Sequence, residues 1–178
     1  MKSGVVLFSG VHGVGKGYFS DCVLKRKGYY VVTASELIET YKKADDAGYK
    51  KVLNINENHQ VLLRALCKEK EVHERIILDG HLTLLDAHDQ IQRIPESFIK
   101  AVPLDGIVLL QDDPDRIVER QKKRDKVALK KEVLETMQKE EVKYCQFLYN
   151  NYHIPYIVLD VNATLGQFSE IFSLIEVR

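Results

Sequence analysis

The chain has no charge surplus of either sign: 26 lysines and arginines offset 26 aspartates and glutamates over 178 residues. That balance leaves no global field to draw the protein to nucleic acid or to a membrane surface. Cysteine is scarce, and the three present, Cys22, Cys67 and Cys145, have an odd count and no metal-like spacing. A reduced, cytoplasmic chain is expected, with each cysteine a small buried hydrophobe on a helix. Proline numbers only four, and there is no Pro/Ser-rich linker, internal repeat or low-complexity tract. The first residues carry one lysine and a short apolar run, which is expected to be neither a secretory leader nor a membrane span. What is left is an ordinary globular composition, 45% hydrophobic and 29% charged, and long enough for one domain over 1–178 with a real core.

Strand-like and helical patterns alternate along it. Strands are expected at 4–9, 29–33, 75–79, 106–110 and 155–160, and helices at about 16–27, 35–46, 57–71, 114–124, 129–151 and 164–175. The runs Ile76-Ile77-Leu78 and Ile107-Val108-Leu109-Leu110 are apolar throughout, as in a parallel strand covered on both faces. The expected fold is α/β, a doubly wound parallel sheet of five strands, with ligands beyond the carboxyl ends of the strands. Residues 44–56 read as a loop between helices, with Asn56 as an N-cap, and 33–71 as a helical subdomain on the sheet.

The first strand and helix flank Gly10-Val11-His12-Gly13-Val14-Gly15-Lys16, a G-x-x-x-x-G-K run. A Gly-rich turn from a strand into a helix gathers backbone N–H groups at one point, and the lysine reaches the β- and γ-phosphates of a nucleotide. Nucleotide contacts are expected from Gly10, His12, Gly13, Val14, Gly15, Lys16, Gly17 and Tyr18. Most such loops carry Ser or Thr after the lysine as a Mg²⁺ ligand, and here that position is Gly17.

The Gly-x-Gly-Lys-Gly run resembles the nucleoside monophosphate kinases, above all the adenylate kinases with G-x-P-G-x-G-K-G-T. His12 replaces their proline and Tyr18 their threonine. Asp79, at the end of an apolar strand, is expected to hold Mg²⁺, or else to open an Asp-Gly turn. Asp79 and His81 resemble the D-x-H of archaeal-type adenylate kinases, so His81 either contacts phosphate or a metal-bound water, or is a half-buried turn residue.

Thr33-Ala34-Ser35-Glu36 resembles the segment entering the acceptor site, which brings in Ser35 and Glu36. The family's phosphate-gripping arginines align with Glu39 and Thr83, a charge reversal and a loss that make AMP an expected poor acceptor; Arg64, or Lys50 and Lys51, either substitute or are solvated surface charges. Arg116, Arg120 and Arg124 recur every four residues on the helix after Pro114, in the densest basic patch of the chain. Either 114–131 is a short lid in which Arg120 and Arg124 stabilise a transferring phosphoryl group, or it is a solvated helix face.

Together these features predict an ATP- and Mg²⁺-dependent kinase of a nucleoside monophosphate or similar small acceptor, with Lys16, Asp79, Arg120 and Arg124 catalytic. Another small-molecule kinase and an ATP-binding regulator remain as alternatives. No aromatic residues interleave the basic patch, so nucleic acid is not an expected partner.

Overall fold

The computed structural model describes residues 4–25, 28–45, 55–86, 88–102, 104–162 and 166. Five parallel strands form the main sheet: β1 (Gly4–Ser9), β2 (Tyr30–Thr33), β3 (Arg75–Asp79), β6 (Leu104–Gln111) and β7 (Tyr156–Asp160), in the order β2-β3-β1-β6-β7. All five strands read from the sequence are present. The expected helix at 164–175 and most of the loop at 44–56 lie outside the described residues.

Both sheet faces are covered, which is why the strands read as continuous apolar runs. Val5, Leu7, Ile76, Leu78, Ile107 and Leu109 enter one cluster with Leu62 and Leu66 of α3 (Ile55–Val72) and Ile99 of α4 (Glu96–Ala101). Their strand neighbours Val6, Phe8, Ile77, Val108 and Leu110 enter the other. That second cluster takes in Phe19 of the short helix α1 (Lys16–Phe19), Leu24 of the π-helical turn that continues it (Ser20–Leu24), and Ile117 of α5 (Pro114–Asp125). The long helix α6 (Lys131–Tyr152) serves both, with Leu134 and Met137 on one side and Tyr144, Cys145 and Leu148 on the other. No described helix is long and apolar enough to cross a membrane.

The sequence reading passed over a two-stranded hairpin and the short helix α4 that follows it. The hairpin, β4 (Thr83–Leu85) and β5 (Ile91–Arg93), follows β3 and leads to α4. Its strands are too short to show a period, and its turn is set by Asp86, whose carboxylate accepts the N–H groups of His88 and Gln90 at 2.8 and 2.9 Å. Asn56 proves to lie inside α3, which begins at Ile55, so it is not the cap.

Between β2 and α2 (Ala34–Asp45) the chain closes a capping box. The Thr33 hydroxyl accepts the Glu36 N–H at 3.1 Å, and the Glu36 carboxylate accepts the Thr33 N–H at 3.0 Å. Glu36→Ala is expected to lower stability by about 0.5–2 kcal/mol, read as a shift of the urea midpoint at unchanged slope.

Candidate functional site

The carboxyl ends of β1, β2 and β3 meet in register: Phe8 and Thr33 both face Asp79 across the ladder. Above them opens a cavity of about 810 Å³, walled by residues 12–18, the start of α2, one face of α3, Asp79, His81 and α5. Val11 and Val14 are fully buried beneath the loop and hold it to the core. Glycine is required at two turns of that loop. At Gly10 (φ +148°) a Cβ would stand 2.6 Å from the Leu110 carbonyl oxygen, and at Gly13 (φ +83°) it would stand 2.9 Å from Gln121. Gly17 is the opposite case, with nothing within 4 Å of a Cβ placed there.

Every carbonyl from Gly10 to Gly15 has a donor. Lys16 Nζ and His81 Nδ1 both donate to Gly10 O, each at 2.7 Å. Val14 N–H donates to Val11 O at 3.2 Å and Tyr18 N–H to Gly15 O at 3.1 Å. Gln121 Nε2 donates to His12 O at 2.7 Å, and Arg120 donates to Gly13 O at 3.1 Å and to Val14 O. A carbonyl can only accept, so the His81 proton sits on Nδ1, leaving Nε2 with a lone pair in the neutral ring. Burial, helped by the nearby Lys16 charge, pushes the His81 pKa down to about 4.

Lys16 is only 8% exposed and lies 3.7 Å from Asp79 Oδ1. Burial lowers its pKa, against the pull of Asp79 and Glu141. Burial raises that of Asp79, against the pull of Lys16. Beneath them Glu141 of α6 is fully buried; its Oε1 accepts the Leu82 N–H at 3.3 Å and the Ser9 hydroxyl at 3.5 Å, and its Oε2 has no partner.

The arginines of α5 divide their work. The carboxylate of buried Asp112 pairs with Arg116 and Arg120, and its backbone is clamped by Gln138, which accepts the Asp112 N–H at 3.0 Å and donates to its carbonyl at 2.9 Å. Arg120 thus braces the loop, while Arg124 grips Asp125 with two bonds of 2.9 Å and touches His12. His12 Nε2 lies 3.0 Å from Asp125, whose pKa is held down to about 2 by Arg124 and then His12. Lys122, Lys123, Lys126 and Lys130 are exposed and do not line the cavity, and Lys131 pairs with Asp115 at 2.6 Å.

Of the residues singled out in the sequence, His12, Gly13, Val14, Gly15, Lys16, Gly17, Tyr18, Ser35, Asp79, His81, Arg120 and Arg124 line one cavity. Gly10 stands behind it, as the carbonyl that orients Lys16 and His81. Glu36 and Arg64 do not belong to it. Glu36 is spent on the capping box, and Arg64 is exposed on a different face of α3 from the lining residues His59 and Leu62. Glu39 is likewise exposed and does not line the cavity. Lys50 and Lys51 fall outside the described residues.

Asp112 was read only among the acids that begin the helix, and Gln121, Gln138 and Glu141 were not singled out in the sequence. Their signal is a polar residue on an apolar stripe: Gln121 follows Ile117 by four, and Gln138 and Glu141 interrupt Leu134, Cys145 and Leu148.

The family model of the AAA domain matches residues 9–138. No curated protein matches the chain. Among solved structures, a gluconokinase from Sinorhizobium meliloti 1021 is similar over 99% of this chain and 95% of its own, with TM-score 0.53 and 17% identity. A deoxyadenosine kinase from M. mycoides is similar over 98% of this chain and 100% of its own, with TM-score 0.57 and 19% identity. The tunicamycin resistance protein of Deinococcus radiodurans is similar over 97% and 94%, with TM-score 0.62 and 14% identity. These likenesses establish the P-loop kinase fold.

The buried carboxyl under the loop has a measurable signature. Burial pushes the Glu141 pKa up from 4.5 to about 7. Between those values the folded chain keeps a proton that the unfolded chain has released, so this group's contribution falls as pH rises across the window and is flat above it. Glu141→Gln keeps an acceptor for Leu82 and Ser9 but cannot ionise. Urea denaturation at pH 5 and pH 8 should show the variant gaining on the wild type at the higher pH, by roughly 1–3 kcal/mol; parallel pH curves would remove the titration from Glu141.

Proposed function

We propose that this chain, which belongs to the AAA-domain family, transfers the γ-phosphoryl group of ATP to a small-molecule acceptor. The observation that carries the reading is the gathering of Lys16, Asp79, His81, Arg120 and Arg124 around one cavity at the ends of the central strands. The loop cradles the phosphates, with Lys16 balancing their charge and Arg124, at the open end of α5, meeting charge that spreads over the transferring group. Arg120 holds the loop in shape through its carbonyls. Residues 114–131 serve as the lid and 33–71 as the acceptor side. Catalysis of this kind is positioning and electrostatics, so no covalent nucleophile is assigned.

The donor set fits Mg²⁺. No cluster of three or more His, Cys, Asp or Glu side chains forms a metal cage among the described residues. One half-buried carboxylate, Asp79, stands beside the phosphate-binding lysine, and Mg²⁺ is characteristically held by one or two carboxylates, waters and substrate phosphates. When bound, the ion neutralises phosphate charge. Gly17 offers it no hydroxyl, so Asp79 carries the protein's share.

A nucleoside monophosphate acceptor is the finer reading suggested by the resemblance at Asp79 and His81. The cavity supports it less than it supports a small-molecule kinase in general, because Arg64 does not line the acceptor side. A reduced, cytoplasmic setting suits the cysteines, none of which is paired; Cys145 is buried as expected, whereas Cys22 is half-buried and Cys67 exposed.

Two substitutions test the phosphate half. Lys16→Ala should weaken ATP binding by roughly 10- to 100-fold in a calorimetric titration, the loss expected for a charged hydrogen bond, with the fold retained by circular dichroism. Asp79→Asn should lower Mg²⁺-dependent ADP release while ATP binding without metal persists. Unchanged ATP affinity in the first and unchanged metal dependence in the second would together overturn the assignment.

A further inference from the structure

The cavity has two chemically different walls. Its permanent cations, Lys16, Arg120 and Arg124, all stand on the loop and α5, where each already meets a carbonyl or a carboxylate. The opposite wall is built mainly from carbon. Its apolar part is Ile38 on α2, Leu62 on α3, Leu84 on β4, Ile94, and Phe98 on α4, and none of the described residues lining it is a lysine or arginine. Leu62 and Phe98 are buried, and the Phe98 ring rests 4.8 Å from that of His59, whose pKa burial lowers, favouring the neutral ring. Leu84 is 53% exposed at the rim, a large apolar side chain left facing the opening.

Ser35, Asn58 and His59 interrupt the carbon. Asn58 lines the same wall, and its Oδ1 is buried with no hydrogen-bond partner. A buried amide oxygen without a partner is rare in folded proteins, and here it is placed to be satisfied by what enters the cavity. A dianionic phosphate brought against this wall would lose its water to alkyl and aromatic surface with no cation among the described residues to replace it, an unfavourable exchange. A neutral molecule with an apolar face would gain from the same contact.

We propose that the phosphoryl acceptor is an uncharged, hydroxyl-bearing molecule with an apolar or aromatic body, which packs on the Ile38–Leu62–Leu84–Phe98 wall and hydrogen-bonds Asn58. This rests on the phosphotransferase reading above. In the transfer the acceptor oxygen bonds to the γ-phosphorus as the bond from that phosphorus to the β,γ-bridging oxygen breaks. ADP departs with that electron pair, and the hydroxyl proton passes to solvent.

The experiment measures ADP release by the full chain with saturating ATP and Mg²⁺. One set of probes is neutral (adenosine, thymidine and 3-phenylpropan-1-ol) and one is anionic (AMP, TMP and gluconate). At least one neutral probe should raise release about tenfold over the acceptor-free rate, with every anionic probe below it, since a group left unpaired in a polar or apolar pocket is worth that factor or more. Leu84→Arg, at an exposed rim position that places a cation on the wall, should raise KM for the neutral acceptor about tenfold while kcat changes less. Asn58→Leu should raise KM for it as well. AMP or TMP as the best acceptor would overturn the inference and leave the kinase reading standing, as would neutral probes that leave release at its acceptor-free rate while calorimetry still shows ATP binding. Absence of ATP binding would overturn the phosphotransferase reading, and the acceptor class with it.

Discussion

A backbone loop that offers itself to a ligand must first settle its own hydrogen bonds. Six consecutive carbonyls, Gly10 to Gly15, are each met by a donor, and four of them by side chains from elsewhere in the chain or from the loop's own lysine. Unpaired buried carbonyls are costly, so these donors fix the loop's shape. Much of the remaining site follows from their placement. Gln121 must be buried to reach His12, Arg120 must lie flat on the loop, and Asp112 must be buried in turn to balance Arg120 and Arg116. Gln138 then anchors Asp112 to α6. The lid helix is therefore tied to the phosphate loop by hydrogen bonds that belong to the loop's own satisfaction.

The same constraint decides what could be read in the sequence. Gly10, Gly13 and Lys16 were legible because their spacing and flanks are local, and Asp79 because it ends an apolar strand. All five parallel strands were legible because burial on both faces makes each one continuously apolar. Gln121, Gln138 and Glu141 were not, since each is one polar residue on an otherwise apolar stripe and its partner is over a hundred, 26 or 59 positions away. The β4–β5 hairpin was missed because three-residue strands carry too little pattern.

Helix phase explains the acceptor side. Successive residues on a helix are turned by about 100°, so Ala34, Ser35 and Ile38 share the cavity face of α2, Glu39 falls at the edge of that face beside Ser35, and Glu36 turns away. On α3 the same count groups Asn58, His59 and Leu62 and sends Arg64 to the opposite side. Motif alignment locates a residue along the chain and says nothing of its azimuth. Glu39 is not among the lining residues, and among the described residues this wall carries carbon at Ile38, Leu62 and Phe98 and no cation.

Gln138 and Glu141 sit within one turn of a single helix. Gln138 fastens the root of α5; Glu141 holds the backbone at Leu82, from which the chain runs on to Leu84, Ile94 and Phe98. A helix is far stiffer along its axis than the loops it secures, so α6 acts as a fixed-length strut between the two halves of the cavity. Any displacement of that strut carries both anchor points with it. The spacing between the nucleotide wall and the acceptor wall is thus a property of α6, set at positions that neither ligand would touch.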